Sequence, residues 1–145
     1  VDRRKKTEIL DLISRKLSPF MFLFGFYLFT HGHLSPGGGF QAGVVIASGV
    51  VLLSLSKGVS ATEELFPLRT LTGAEAAAFV LLLAAGLAGV ITGVGFLGNP
   101  ASAGVDGTAF GTVPRVGFIL LLNTLIGVKV GAGVSIICMH LFREE

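Results

Sequence analysis

Cysteine is almost missing from this chain: Cys138 is its only one, so an intramolecular disulfide is excluded, and no Cys/His cluster has metal-ligand spacing. Charge is scarce too. Only 14% of the 145 residues are charged, against about 25% in soluble domains. No nucleophile, base and oxyanion-stabilising group fall into a pattern that would make an independent enzyme. Internal repeats and low-complexity tails are also absent. What the chain has in quantity is apolar side chain, 52% of its residues, with a mean hydropathy of +0.82. Such a composition defines an integral membrane protein, with nearly all of the chain used in crossings and no room for a soluble catalytic domain. Cys138 reads as a small buried apolar residue.

Four apolar runs stand out, Leu17 to Thr30, Phe40 to Leu55, Ala74 to Leu97 and Val116 to Phe142. Because a helix needs roughly 20 residues to cross about 30 Å of hydrocarbon, the third and fourth are long enough and the first two are short. A basic start before a short apolar run also fits a signal peptide, but His-Gly-His follows Thr30 in place of a small-residue cleavage site. The chain opens on Val1 without a methionine, which leads us to expect a processed start or a non-standard initiation codon. The expected fold is an all-α integral membrane protein, one membrane domain over 1–145, with a short amphipathic helix over 7–17 and spans over 18–33, 39–56, 73–97 and 114–142. Ile9, Ile13 and Leu17 repeat at fours beside an Asp11 to Arg15 pair, suggesting that the first helix lies along the membrane surface. Ser18-Pro19 reads as an N-cap followed by proline at the first helical position. Thr72-Gly73-Ala74-Glu75 reads as a capping box starting the third span.

Charge placement orients the spans, since Lys and Arg concentrate in cytoplasmic loops. Arg3, Arg4, Lys5, Lys6, Arg15, Lys16, Lys57, Arg69 and Arg143 fall on one side, Arg115 on the other, and Lys129 inside a span. Four crossings with both termini cytoplasmic follow. The same rule accounts for the N-terminal basic cluster, so nucleic acid is not expected as a partner.

The turn between the first two spans, THGHLSPGGGFQAG over residues 30–43, is poor material for helix or strand. Apolar runs of about 14 and 16 residues reach only about 21 and 24 Å, so the turn is expected to dip below the outer interface, where irregular backbone survives only against protein or a wet cavity. Gly37, Gly38 and Gly39 after Pro36 permit close backbone approach, and the second helix opens with free N–H groups at its positive dipole end. Two readings stay open: a tight hairpin whose glycines serve sterics, and a stretch of ion pathway. His31 and His33 are of a residue type that titrates near neutrality, at a place suited to a cation entrance or to plain interfacial polarity. Gln41 can bond back to the turn or to a partner, and Asp106 and Arg115 read as a loop salt bridge.

This segment resembles a known family. GHLSPGGGFQAGVV, residues 32–45 and including Phe40, looks like the signature of the MnhB family, the B-type chains of Mrp-type multisubunit sodium/proton antiporters, and NTLIGVKVGAGVSI, residues 123–136, is similar to that family's last helix. Length, four spans and loop order agree as well. Ala42-Gly43 departs slightly from the pair of small residues, often two glycines, expected there. The resemblance implies an accessory, non-enzymatic membrane subunit needed for coupled Na⁺/H⁺ exchange, with no cofactor of its own. Its partners would be other Mrp-type subunits, including large ones like those of respiratory complex I, in a prokaryotic cell membrane. Archaeal membrane-bound hydrogenases and sulfane-sulfur reductases carry an equivalent subunit.

Lys129 lies near the middle of the fourth run, where an ionisable side chain is costly and faces a bundle interior, a wet cavity or a counter-charge. With Glu75 assigned to a helix end and Asp106 to a loop, no carboxylate of the chain matches its depth, and its partner is expected on another subunit. It is either part of a proton or sodium path or a static tether, and Glu75 is a secondary candidate for a proton half-channel. Gly39/Gly43/Ala47, Gly89/Gly93 and Gly127/Gly131 repeat at fours, stripes that let helices approach closely. The contrasting reading is a homo-oligomeric channel or purely structural scaffold, for which Asn123, Thr124 and Lys129 provide only a thin polar stripe.

Overall fold

The computed structural model describes residues 3–32, 38–99 and 112–143. They form five helices, α1 (Arg3–His31), α2 (Gly39–Lys57), α3 (Val59–Leu65), α4 (Leu68–Ile91) and α5 (Thr112–Arg143), with no strand among them. Four are long and apolar enough to cross a membrane: Glu8–His31, Gly39–Lys57, Leu68–Ile91 and Gly117–Arg143. Helix α2 is the centre, packed between α1 and α5, and α4 packs chiefly on α5. The short α3 caps one end, where Arg143 meets Glu63 at 3.4 Å and Ser14 donates to Ser56 at 2.6 Å.

The interior is small and partly polar while the outside is greasy. Ser14, Ser54, Thr62, Ser135, Ala42 and Ala47 are buried, whereas Phe20, Leu23, Phe26, Ile91 and Ile137 are exposed. This inverts a soluble protein's pattern and fits lipid as solvent, where close packing of small residues rather than water exclusion joins helices.

The expected break between a surface helix and a first span does not occur. Helix α1 runs unbroken from Arg3 to His31 with Pro19 inside it. Ser18 is therefore no N-cap: its side chain is buried and its hydroxyl has no hydrogen-bond partner. Proline costs the helix one N–H donor, but contacts on both sides clamp the segment. Ser14 binds Ser56 before Pro19, and the Phe22 and Phe66 rings meet at 6.0 Å after it. The 24-residue span Glu8–His31 and the 19 residues of α2 reach about 36 and 28 Å. Neither is short, so the argument for a dipping turn loses its premise.

The third span also has different ends. The chain leaves α2 through Gly58 at φ +88, forms α3, and enters α4 after Pro67, whose carbonyl accepts from Leu71 N at 3.1 Å. Helix α4 thus begins at Leu68, and the expected capping box lies inside it, with the Thr72 hydroxyl donating to the Leu68 carbonyl at 2.9 Å. At the other end α4 stops at Ile91 rather than continuing to residue 97. Gly93 takes φ +77, its N–H reaches Val90 O at 3.0 Å and Val94 N–H reaches Gly89 O at 3.0 Å, the paired bonds of a Schellman motif.

Candidate functional site

The last two spans each bring one charged side chain to their shared groove. Lys129 stands 12 residues past Gly117 and 14 before Arg143 on α5, and Glu75 stands seven residues past Leu68 on α4. At 1.5 Å per residue this is about 21 Å from the Arg143 end and about 10 Å from the Leu68 end, well inside both spans. Lys129 Nζ lies 3.6 Å from Glu75 Oε1 and 5.4 Å from the centroid of the Phe79 ring. Phe79 sits one turn beyond Glu75 on α4, so carboxylate and ring flank the ammonium from one helix. On α5, one turn beyond Lys129, Gly133 supplies the room: a Cβ there would stand 3.2 Å from Glu75 Oε1.

The expectation that no carboxylate of this chain matches Lys129 in depth is therefore overturned. It depends on Glu75 standing at a helix start; with α4 beginning at Leu68, Glu75 sits almost two turns inside. Pro67 is the signal that points to the true start, since proline is favoured at helix starts and not in their interiors.

A second feature is the crossing of α2 over α5. A Cβ at Gly39 would overlap the Asn123 carbonyl, one at Gly43 would stand 2.5 Å from Gly127 O, and one at Gly131 would stand 3.3 Å from Gly43 O. Gly127 also makes space for the Phe29 ring. These four glycines bring two backbones into contact. The Gly89/Gly93 stripe does something else: Gly93 ends α4 by its positive φ, and Gly89 lies against the backbone of Gly95 and Gly98 in the following loop.

The signature turn is only partly described. His33, Pro36 and Gly37 lie outside the described residues, as do Asp106 and the Arg115 side chain. His31 ends α1, its ring stacked on Tyr27 at 4.5 Å and its Nδ1 2.9 Å from the Thr30 hydroxyl. Gly38 is extended and opens α2, Gly39 is buried, and Phe40 and Gln41 are exposed. A Cβ at Gly38 would stand 3.2 Å from Gln41 Oε1 and 4.0 Å from Asn123 Oδ1. Asn123, in sequence no more than one member of a thin polar stripe, is thus the α5 residue that meets the start of α2. No group of three or more His, Cys, Asp or Glu that could hold a metal ion occurs among the described residues.

Four spanning helices with an ion pair between two of them define a polytopic helical membrane protein. Residues 9–136 match the family described as a domain related to the MnhB subunit of Na⁺/H⁺ antiporter, and the chain belongs to that family, in agreement with the signature in its first turn. It is 38% identical over 88 residues to the B-type chain of the Na⁺/H⁺ antiporter of Bacillus subtilis strain 168, an alignment covering 60% of this chain and 55% of that protein. It is 32% identical over 143 residues to an uncharacterized protein of Methanocaldococcus jannaschii, covering 96% of this chain and 53% of that one. The chain spans about half the length of these relatives.

Proposed function

We propose that this chain is an accessory, non-catalytic membrane subunit of a multisubunit Na⁺/H⁺ antiporter module, and that the Glu75–Lys129 pair sets the electrostatic field along its proton or sodium path. The carrying observation is the pair itself, a cation and an anion 3.6 Å apart inside two spans of an MnhB-family chain. Charges at that depth are costly to keep and mark ion pathways when they occur. Na⁺ and H⁺ are the ions moved, the chain binds no cofactor of its own, and its partners are the other Mrp-type membrane subunits, including the large complex-I-like ones. Arg15, Lys16, Lys57, Arg69 and Arg143 gather at the end of the bundle that α3 caps, which supports a cytoplasmic position for that end and for both termini in a prokaryotic cell membrane.

The test is Na⁺-driven proton movement in everted vesicles from cells making the whole assembly with Lys129→Ala or Glu75→Gln. Loss of exchange with normal subunit levels in the membrane is the expected result. A Lys129→Ala assembly exchanging at the normal rate would overturn the ion-path role. Mass spectrometry of the copurified chains identifies the host. Antiporter-like subunits alone indicate a stand-alone antiporter, added nickel–iron or iron–sulfur proteins a redox-driven one, and recovery of this chain alone a homo-oligomeric channel or scaffold.

A further inference from the structure

The ion pair is not enclosed by the chain that makes it. The Lys129 and Glu75 side chains are 38% and 34% exposed, and the adjoining Phe79 is 45% exposed. An ammonium carries three N–H donors. Glu75 meets it from one side at 3.6 Å, longer than a good charge-assisted bond, and the Phe79 ring covers another. Hydrocarbon cannot cover what remains, because a lysine at the bilayer centre costs about 3 kcal/mol even on the lowest scales. A water-filled vestibule fits poorly as well, since exposed Phe79 and Val128 border the charges. An apolar rim around an unfilled donor is the make-up of a protein contact surface, with packing outside and a polar anchor inside.

Resting on the assembly proposed above, we propose that the α4–α5 face carrying Glu75, Phe79 and Lys129 is an intersubunit surface, seated against a membrane-spanning helix of a different chain that presents oxygen acceptors at the level of Lys129. The match is one of charge and polarity: the acceptors complete the ammonium's hydrogen bonds, and the apolar parts of that helix cover Phe79 and Val128. Removing the ammonium takes away the anchor but leaves the rim.

The experiment places a benzophenone amino acid at Phe79 in the full chain, made together with its partner subunits, and irradiates native membranes. The expected adduct joins this chain to another membrane protein. Its cross-linked peptide falls within a span and carries an oxygen-bearing side chain within one turn of the attachment point. Lys129→Met is expected to lower the adduct yield about tenfold, the equivalent of about 1.4 kcal/mol, and Lys129→Arg to keep it. Adducts with lipid alone, adducts only with a second copy of this chain, or a partner adduct that Lys129→Met leaves unchanged would each overturn the proposal. Its failure is separable from that of the ion-path reading. Lipid-only labelling with exchange lost in Lys129→Ala leaves the path and removes the surface, whereas a partner adduct with normal exchange in Lys129→Ala does the reverse.

Discussion

Adding one methyl group at Gly43 tests the helix crossing most directly. A Cβ there would meet Gly127 O at 2.5 Å, Gly131 N at 2.9 Å and the Val130 Cβ at 3.1 Å. The two nearest atoms belong to backbone, so no rotamer change relieves the contact. Restoring ordinary separation pushes α2 and α5 apart by about 1 Å, and a gap of that size forfeits a quarter to a half of the dispersion attraction of the surrounding contacts. Overpacking of this kind costs about 1–3 kcal/mol. Alanine's better helix propensity returns about 0.8–1.0 kcal/mol, leaving Gly43→Ala destabilised by up to about 2 kcal/mol. Gly73 is the internal control, because it lies inside α4 with nothing within 4 Å of its would-be Cβ. There only the propensity term operates, and Gly73→Ala is expected to be neutral or stabilised by up to about 1 kcal/mol. Equilibrium unfolding of the purified full chain in mixed micelles, titrated with a denaturing detergent, measures both. Equal stability of the two variants, or a Gly43→Ala protein more stable than the parent, would refute the close approach of α2 and α5.

Three further outcomes follow from the same geometry. In a double-mutant cycle of Glu75→Gln and Lys129→Met, read by the same titration, the coupling is expected between about 0.5 and 3 kcal/mol; additive effects would mean that the two side chains do not interact. Gly93→Val forces a β-branched residue to adopt φ +77 and is expected to destabilise the end of α4 by about 1–2 kcal/mol, visible as faster amide exchange over residues 89–94. Arg143→Ala breaks an ion pair whose arginine is 64% exposed, so its effect on unfolding is expected to stay below about 1 kcal/mol.

Much of the fold was legible because the membrane imposes it. Long apolar runs separated by charge admit few readings, and the family emerged from a short turn whose glycines and proline make an unusual string. The errors concern boundaries, and they share a cause. Ser18-Pro19 and Thr72 to Glu75 both fit local rules for helix starts, yet α1 passes through the first and α4 encloses the second. Local rules state what a segment can do if a helix begins there. Whether it does is decided by packing across the chain, here by Ser56 and Phe66 holding α1 on both sides of Pro19. The Gly89/Gly93 stripe misled for a related reason. Spacing at fours is shared by glycines facing another helix and by glycines terminating their own, and only φ tells them apart.

The Glu75–Lys129 pair shows what this means for function. Two charges 54 positions apart carry no mutual signal in a single sequence, and each has a satisfactory local explanation, the carboxylate as a cap and the lysine as a residue awaiting another chain. Moving the start of α4 back to Leu68 removes the first explanation and supplies a partner in the second case. The partner is incomplete, because a contact of 3.6 Å with more than a third of each side chain exposed does not meet the cost of keeping an ammonium at that depth. That shortfall is the ground for the proposal that Lys129 also leans on a neighbouring subunit. Glu75 holds the lysine in the α4–α5 groove, and on the proposal made above a second set of oxygens, on another chain, completes the site in the membrane.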